Sequence, residues 1–264
     1  MALKTLDVAI VQGKTFTYVV RWESEKINYA AISAITNAAP VAITASAHGI
    51  PDGWRAAVVS VKGMTQINAV NAPPKASDYY DMSAPTINSL TINTVNAAGF
   101  STYGSGGYVQ YYEPVNIAGY TGYMVIKDKV GGTAIASSAP STTWGVLTAY
   151  RTGQIVSPGV SMTGGAGKVL QCVTAGTSGA VTTLAVPDAG STLTDGTVVW
   201  AVVPLSLTVA LETSLKTITL TMPATSSALL AGGKGVYELE MTSGAGVVTA
   251  LLAGKVTIDY EIST

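Results

Sequence analysis

Few side chains in this sequence are of a kind that does chemistry. His48 is the one histidine and Cys172 the one cysteine. A Ser-His-Asp triad or a multi-histidine metal centre would therefore have to pass through His48, and a cysteine zinc site or internal disulfide is excluded. His48 sits in Ala47-His48-Gly49-Ile50-Pro51-Asp52-Gly53, where capping a turn accounts for it; Cys172 reads as a buried, inert thiol. The carboxylates Asp78, Asp81, Asp188 and Asp195 have no spacing that ties them into a pair for glycoside cleavage. Glycine-rich Gly104–Gly107 and Gly164–Gly167 neither run from strand to helix nor end in Gly-Lys-Ser, so they are not phosphate cradles. The expectation is a protein without catalytic activity, cofactor or metal.

Aromatic side chains are the better lead. Tyrosine occurs 13 times and phenylalanine twice, with Tyr79-Tyr80, Tyr103, Tyr108, Tyr111-Tyr112, Tyr120 and Tyr123 crowded into one stretch. A ring with an apolar face and a polar tip suits half-exposed sheets, subunit interfaces and sugar stacking alike. Trp144, Trp200, Tyr111 and Tyr112 are the candidates for an interface or a glycan contact.

What must position these residues is β-structure. The composition, with 28 glycines, 11 % charged residues and abundant Ala, Thr, Val and Ser, describes many short strands joined by tight turns. A net charge of −1, with 14 basic residues scattered along the chain, argues against nucleic acid as the partner. No apolar run approaches the ~20 residues that span a bilayer, and the first residues lack the apolar core of a signal peptide. The expectation is a soluble chain made in the cytoplasm, whose lightly charged surface suits a subunit of a larger assembly.

In chain order, Val8 and Ile10 alternate, Gln12-Gly13 bends, and Phe16, Tyr18, Val20 and Trp22 share one face of a second strand. Strands Val41–Ala45 and Trp54–Val61 flank the His48 turn, and Ser89–Val95 follows. Alternation returns at Tyr108–Tyr112 and Tyr123–Asp128. A separate run with its own tryptophans spans Trp144–Val203. Leu205–Leu211, Thr217–Pro223 and a helical turn at Ala224–Leu230 lead to a closing meander of three strand-like runs: Val236–Met241, Val247–Leu252 and Val256–Tyr260.

Three resemblances attach to these segments. Ile32–Gly99, with Ile35-Thr36-Asn37-Ala38-Ala39-Pro40-Val41, Ala47-His48-Gly49-Ile50 and Gly63-Met64-Thr65-Gln66-Ile67-Asn68, resembles the small β-barrel insert named after the first catalytic cysteine half-domain of ubiquitin-activating enzymes. That insert recurs as a spacer in tailed-phage tail proteins; with no cysteine in this stretch, it implies a packing or binding module. Trp144, Gly153-Gln154-Ile155-Val156, Thr177-Ser178-Gly179 and Asp195-Gly196-Thr197-Val198-Val199-Trp200 resemble an aromatic β module of phage tail fibres. Gln12-Gly13-Lys14-Thr15-Phe16, Ile117-Ala118-Gly119-Tyr120, Thr217–Pro223 and Gly235–Glu240 resemble the N-terminal domain of siphophage upper baseplate proteins.

Together these give an all-β expectation: an immunoglobulin-like β-sandwich from residues 1–30, 107–138 and 204–264, interrupted by two small inserted β modules at 31–106 and 139–203. Seven strands is the count for such a sandwich, and its loop tips tolerate insertion. The family resemblance implies a structural protein of the virion tail, docking on tail or baseplate proteins and carrying receptor-binding fibres. It also implies a homo-oligomer, by analogy a trimer, with neither nucleic acid nor membrane as partner. The alternatives are a host-surface glycan binder and a capsid decoration or head-fibre protein.

Overall fold

The computed structural model describes residues 4–160, 162–180 and 183–261 and is built almost entirely of β-strands. By its internal contacts the chain forms two compact units, Arg21–Ile117 with Glu212–Thr217, and Ala2–Val20 with Ala118–Leu211 and Ile218–Thr264.

Strands β1 (Lys4–Thr5), β2 (Val8–Val11) and β3 (Phe16–Arg21) open the chain. The first unit then runs through β4 (Glu23–Ala31), β5 (Ala34–Ile35), β6 (Val41–Thr44), β7 (Trp54–Val59), β8 (Tyr80–Thr86), β9 (Ser89–Ile92) and β10 (Tyr108–Pro114). These form a seven-stranded sheet in the order β4-β10-β7-β8-β9-β6-β5. Because β4 and β5 are consecutive in the chain, one strand kinked at Ile32-Ser33 serves both ends of that order. Inside lie Trp54, Met64, Met82, Leu90, Ile92, Val109 and Tyr111. The ends of this insert meet, since the Val115 amide donates to the Trp22 carbonyl at 2.9 Å. Sequence reasoning gave residues 23–30 and 107–114 to the sandwich. The structure pairs them with each other inside the insert, from Ala31 opposite Tyr108 to Ile27 opposite Tyr112.

In the second unit, β11 (Thr121–Lys127) and β12 (Ala134–Ser137) are followed by an inserted module. It comprises β13 (Ala149–Tyr150), β14 (Ile155–Val156), β15 (Met162–Thr163), β16 (Lys168–Thr174), β17 (Gly176–Thr177), β18 (Leu184–Ala185), β19 (Thr192–Asp195) and β20 (Val198–Pro204). Trp144, Tyr150, Val156, Leu170, Cys172 and Trp200 fill its core. This insert also closes on itself: the amides of Ser206 and Leu207 both donate to the Ser137 carbonyl, at 3.0 and 3.2 Å. Gln171 fixes the module to the β11–β12 hairpin. Its side chain accepts from the buried Ala134 amide at 2.7 Å and donates to the half-buried Gly132 carbonyl at 3.1 Å.

The chain ends with β21 (Thr208–Glu212), β22 (Thr217–Met222), the single helical turn α1 (Ala224–Ser227), β23 (Gly233–Thr242) and β24 (Val248–Asp259). One sheet of the resulting sandwich takes the order β1-β24-β23-β11-β12, with β2 also on β24; the other is β21-β22-β3. The N-terminal strands run parallel to the last strand while every other pair in that sheet is antiparallel, a topology of immunoglobulin type. The buried faces follow period two: Ile218, Leu220 and Met222 on β22, and Tyr237, Leu239 and Met241 on β23.

Two expectations are corrected here. The closing three-strand meander is a hairpin, because Val248–Asp259 is one strand with Leu251 bulged opposite the Leu239/Glu240 step. Within it Gly254 lies against the link between β1 and β2, where a Cβ would collide with the Leu6 carbonyl. Nor do Phe16, Tyr18, Val20 and Trp22 form one interior face: Val20 and Trp22 are buried, whereas Tyr18 is exposed.

Candidate functional site: an aromatic sheet face and a polar cleft

Two exposed tyrosines, Tyr29 and Tyr108, lie on the outer face of the seven-stranded sheet. Residues directly opposite across an antiparallel ladder share a face, so Ile27, Tyr29 and Ala31 on β4 lie beside Tyr112, Gln110 and Tyr108 on β10. Val59 and Ala57 on β7 continue that face, opposite Tyr108 and Gln110. Tyr29 and Tyr108 meet edge to face at 6.1 Å and are 57 % and 46 % exposed; Ile27 beside them is 37 % exposed. Tyr79 and Tyr112 stack at 6.1 Å with their planes 22° apart, and the Arg55 guanidinium lies 6.0 Å from the centre of the Tyr79 ring. Arg55 is held in place by Glu23, at 3.0 and 3.2 Å. Buried Gln110 donates to the Tyr79 hydroxyl at 3.2 Å, and burial raises the Tyr79 phenol above its usual range. This face offers rigid rings with polar tips and one stacked cation, the kinds of group that protein contact surfaces use.

The sequence candidates separate. Tyr112 lies on this face, but its neighbour Tyr111 alternates into the core and donates its hydroxyl to the His48 carbonyl at 2.8 Å. Trp144 and Trp200 belong to another core altogether, 6 % and 0 % exposed. The Trp144 indole donates to Asp195 at 2.7 Å, and Tyr150 packs edge to face on Trp200 at 4.7 Å. Neither tryptophan presents a ring face to a sugar, which corrects the expectation of a glycan platform there. Asp195 also accepts the Gly179 amide at 2.8 Å, making it the polar centre of the module.

The remaining groups singled out in the sequence have structural partners. His48 accepts the Ile50 amide on Nδ1 at 3.0 Å and reaches the Thr86 carbonyl with Nε2 at 2.9 Å, which places the ring proton on Nε2. Asp78 caps its loop, accepting from the Lys75 and Val70 amides and the Asn71 side chain; these bonds, the Lys75 one foremost, hold its carboxyl below the usual range. Asp81 pairs with Arg21 at 3.0 Å. Burial pushes the Cys172 thiol up. Among the described residues no group of three or more His, Cys, Asp and Glu is placed to hold a metal ion, and no helix is long and apolar enough to cross a membrane.

A second feature escaped sequence reasoning. On the outer side of β23, Glu238 and Glu240 stand on one face, opposite Val125 and Tyr123 of β11. With Lys127, Thr242, Ser141, Thr142 and Ile155 they line a cleft of about 310 Å³. Burial, then the neighbouring Glu238, raises the Glu240 carboxyl, with Lys127 acting in opposition; burial pushes Tyr123 up to about 12. The available signal was the i, i+2 carboxylate spacing on a strand whose alternate residues are apolar.

No family model matches the chain and no curated protein matches it in sequence. Among solved structures, the sialic acid binding region of a Streptococcus sanguinis SK1 adhesin bound to 3'sLn aligns over 96 % of this chain and 76 % of its own, at 12 % identity. Its TM-score of 0.13 is too low to bear on fold or function.

Proposed function

We propose that this protein works by assembly: a structural component of a tailed-phage virion that docks on the tail or baseplate and positions receptor-binding fibres. One observation carries the proposal. The segments that resemble the upper baseplate domain lie far apart in sequence, yet each serves the same sandwich. Gln12–Phe16 turns into β3, Ile117–Tyr120 leads into β11, Thr217–Pro223 is β22 with its exit, and Gly235–Glu240 lies in β23. A second observation supports a non-enzymatic role: the side chains with the most chemical potential, His48, Asp78, Asp195 and Cys172, are engaged in turns and cores. The aromatic face on β4 and β10 supplies the kind of surface such a component uses against its neighbours.

The test is immunogold labelling of intact virions with antibody against this chain, together with mass spectrometry of purified particles. Label at the tail tip or collar is the expected result. Label over the capsid would make it a decoration protein, and its absence from purified particles would overturn the proposal.

A further inference from the structure

We infer that β4 pairs edge to edge with β4 of a second copy, making an isologous dimer centred near Asn28. This goes beyond the virion reading and does not depend on it. β4 is the terminal strand of its sheet: β10 occupies one edge, and among the described residues no strand pairs the other along Glu23–Ala31. The register shows which groups are free. The Ile32 amide bonds the Gly107 carbonyl, so Asn28 and Ala30, which share its phase, turn their backbone groups toward β10. Ile27 and Tyr29 turn theirs outward.

This edge has one built-in guard, which also sets the length of any pairing. The ladder slips between Tyr112 and Pro114, and the slack on β4 falls at Ser24-Glu25-Lys26, where the Lys26 amide bonds Ser24 Oγ at 3.2 Å. Bulges and charges of this sort blunt an edge. The straight part that remains, Ile27–Ala31, carries the exposed Ile27 and Tyr29 side chains.

A second copy fits this stretch in a definite register. Antiparallel pairing must match outward residues with outward residues. A two-fold axis at Asn28 sets Ile27 opposite Tyr29 in both halves, pairing the backbone groups of both residues in each copy. An axis at Ile27 would pair Ile27 with itself and send Tyr29 to Glu25 in the bulge; an axis at Lys26 would face two ammonium groups. The Asn28 axis sets the two large exposed side chains, Ile27 and Tyr29, against each other in both halves with no like charges opposed, whereas an axis at Tyr29 would leave Ile27 opposite Ala31 and one at Ala30 would carry Ile27 to Ser33 beyond the strand. It extends the Tyr29–Tyr108 contact into one aromatic surface across both copies. Self-complementarity of one patch is what a two-fold dimer requires.

The test is sedimentation velocity on the full-length protein and two variants, with circular dichroism and a thermal melt for each. Ile27→Pro removes an outward amide and leaves the β10 ladder intact, as proline on an edge strand can. Tyr29→Lys keeps the backbone and sets a lysine across from Ile27. The expected result is a dimer for the wild type and a folded monomer for both variants. If Ile27→Pro does not fold, Tyr29→Lys decides. A wild type that stays monomeric at its highest soluble concentration, or a dimer that persists in the folded variants, overturns the inference.

Discussion

Asp195→Ala should loosen the second inserted module, and Cys172 provides a local readout of it. Asp195 accepts the buried Trp144 indole at 2.7 Å and the half-buried Gly179 amide at 2.8 Å. Truncation leaves the Trp144 indole without a partner, and a buried donor left unsatisfied costs about 1–3 kcal/mol, while the half-buried Gly179 amide adds less. The loss is therefore at least about 1–3 kcal/mol, and even its lower end is roughly a fivefold change in the opening equilibrium. Global denaturation is a poor assay in a chain with several cores, because a single transition is not assured. The chain's one cysteine avoids this difficulty. Cys172 is buried in the same core and bonds the Thr174 carbonyl, so a thiol reagent reaches it only when the module opens. When reclosing outpaces labelling, the labelling rate follows the open population. Asp195→Ala should label at least roughly fivefold faster than wild type, and Asp195→Asn, which keeps one acceptor, should fall between. Acceleration of less than about threefold would correspond to under about 0.7 kcal/mol and would refute this account of the module's core. The same logic bears on glycan tests: loss of binding in Trp144→Ala would report a damaged core and not a missing stacking ring.

Gln171→Leu should lower the thermal midpoint clearly, since it orphans the buried Ala134 amide at a cost of about 1–3 kcal/mol and releases the half-buried Gly132 carbonyl; Gln171→Glu, which restores only the acceptor, should recover part of this. Glu240, whose carboxyl is raised above 4.5, contributes stability that is full below pH 4.5 and lost as pH rises through its folded value. Glu240→Gln should therefore melt higher than wild type at neutral pH and lose the advantage in acid, as followed by melts across pH. Asp78 has the opposite sign: its carboxyl lies below 3.8, so its contribution is present above pH 3.8 and lost as pH falls through the folded value, and Asp78→Asn should flatten that acid limb.

The sequence was most legible where burial is one-sided. Thr217–Met222 alternates without a break, and the structure buries Ile218, Leu220 and Met222 there. Glu23–Ala31 was not seen as a strand of the first insert, because Glu-Ser-Glu-Lys carries no apolar alternation and its pairing with Tyr108–Pro114 is decided far away in the chain. The split between Tyr111 and Tyr112 is a matter of phase: adjacent residues on a strand must face opposite ways, and only the partner strand says which way is in. Trp144 and Trp200 looked like platforms because their spacing gives ring chemistry but not burial; Asp195 and Tyr150 supply that burial. Glu238 and Glu240 were visible as residues and invisible as a site, since their cleft exists only once Pro140–Thr142 and Ile155 lie over β23.

The sandwich survives two interruptions because each insert is closed at its own base. An unstructured loop costs more as it lengthens, by about 0.6 kcal/mol per doubling. The Trp22–Val115 and Ser137–Ser206 hydrogen bonds bring the ends of each insert together, so the strands that flank them are joined as if by short loops. It follows that the first insert should be able to lose its fold while the sandwich keeps its own. Trp54→Ala tests this: Trp54 is fully buried in the first unit and donates to the Tyr112 carbonyl at 2.9 Å, so truncation should cost that unit about 3–5 kcal/mol. Calorimetry should show one transition shifted far down and a second moved by no more than the entropy of the loop released. Hydrogen exchange read by mass spectrometry should assign the early transition to Glu23–Pro114. If both transitions fall together, the inserts are not closed units, and the modular account of this chain is wrong.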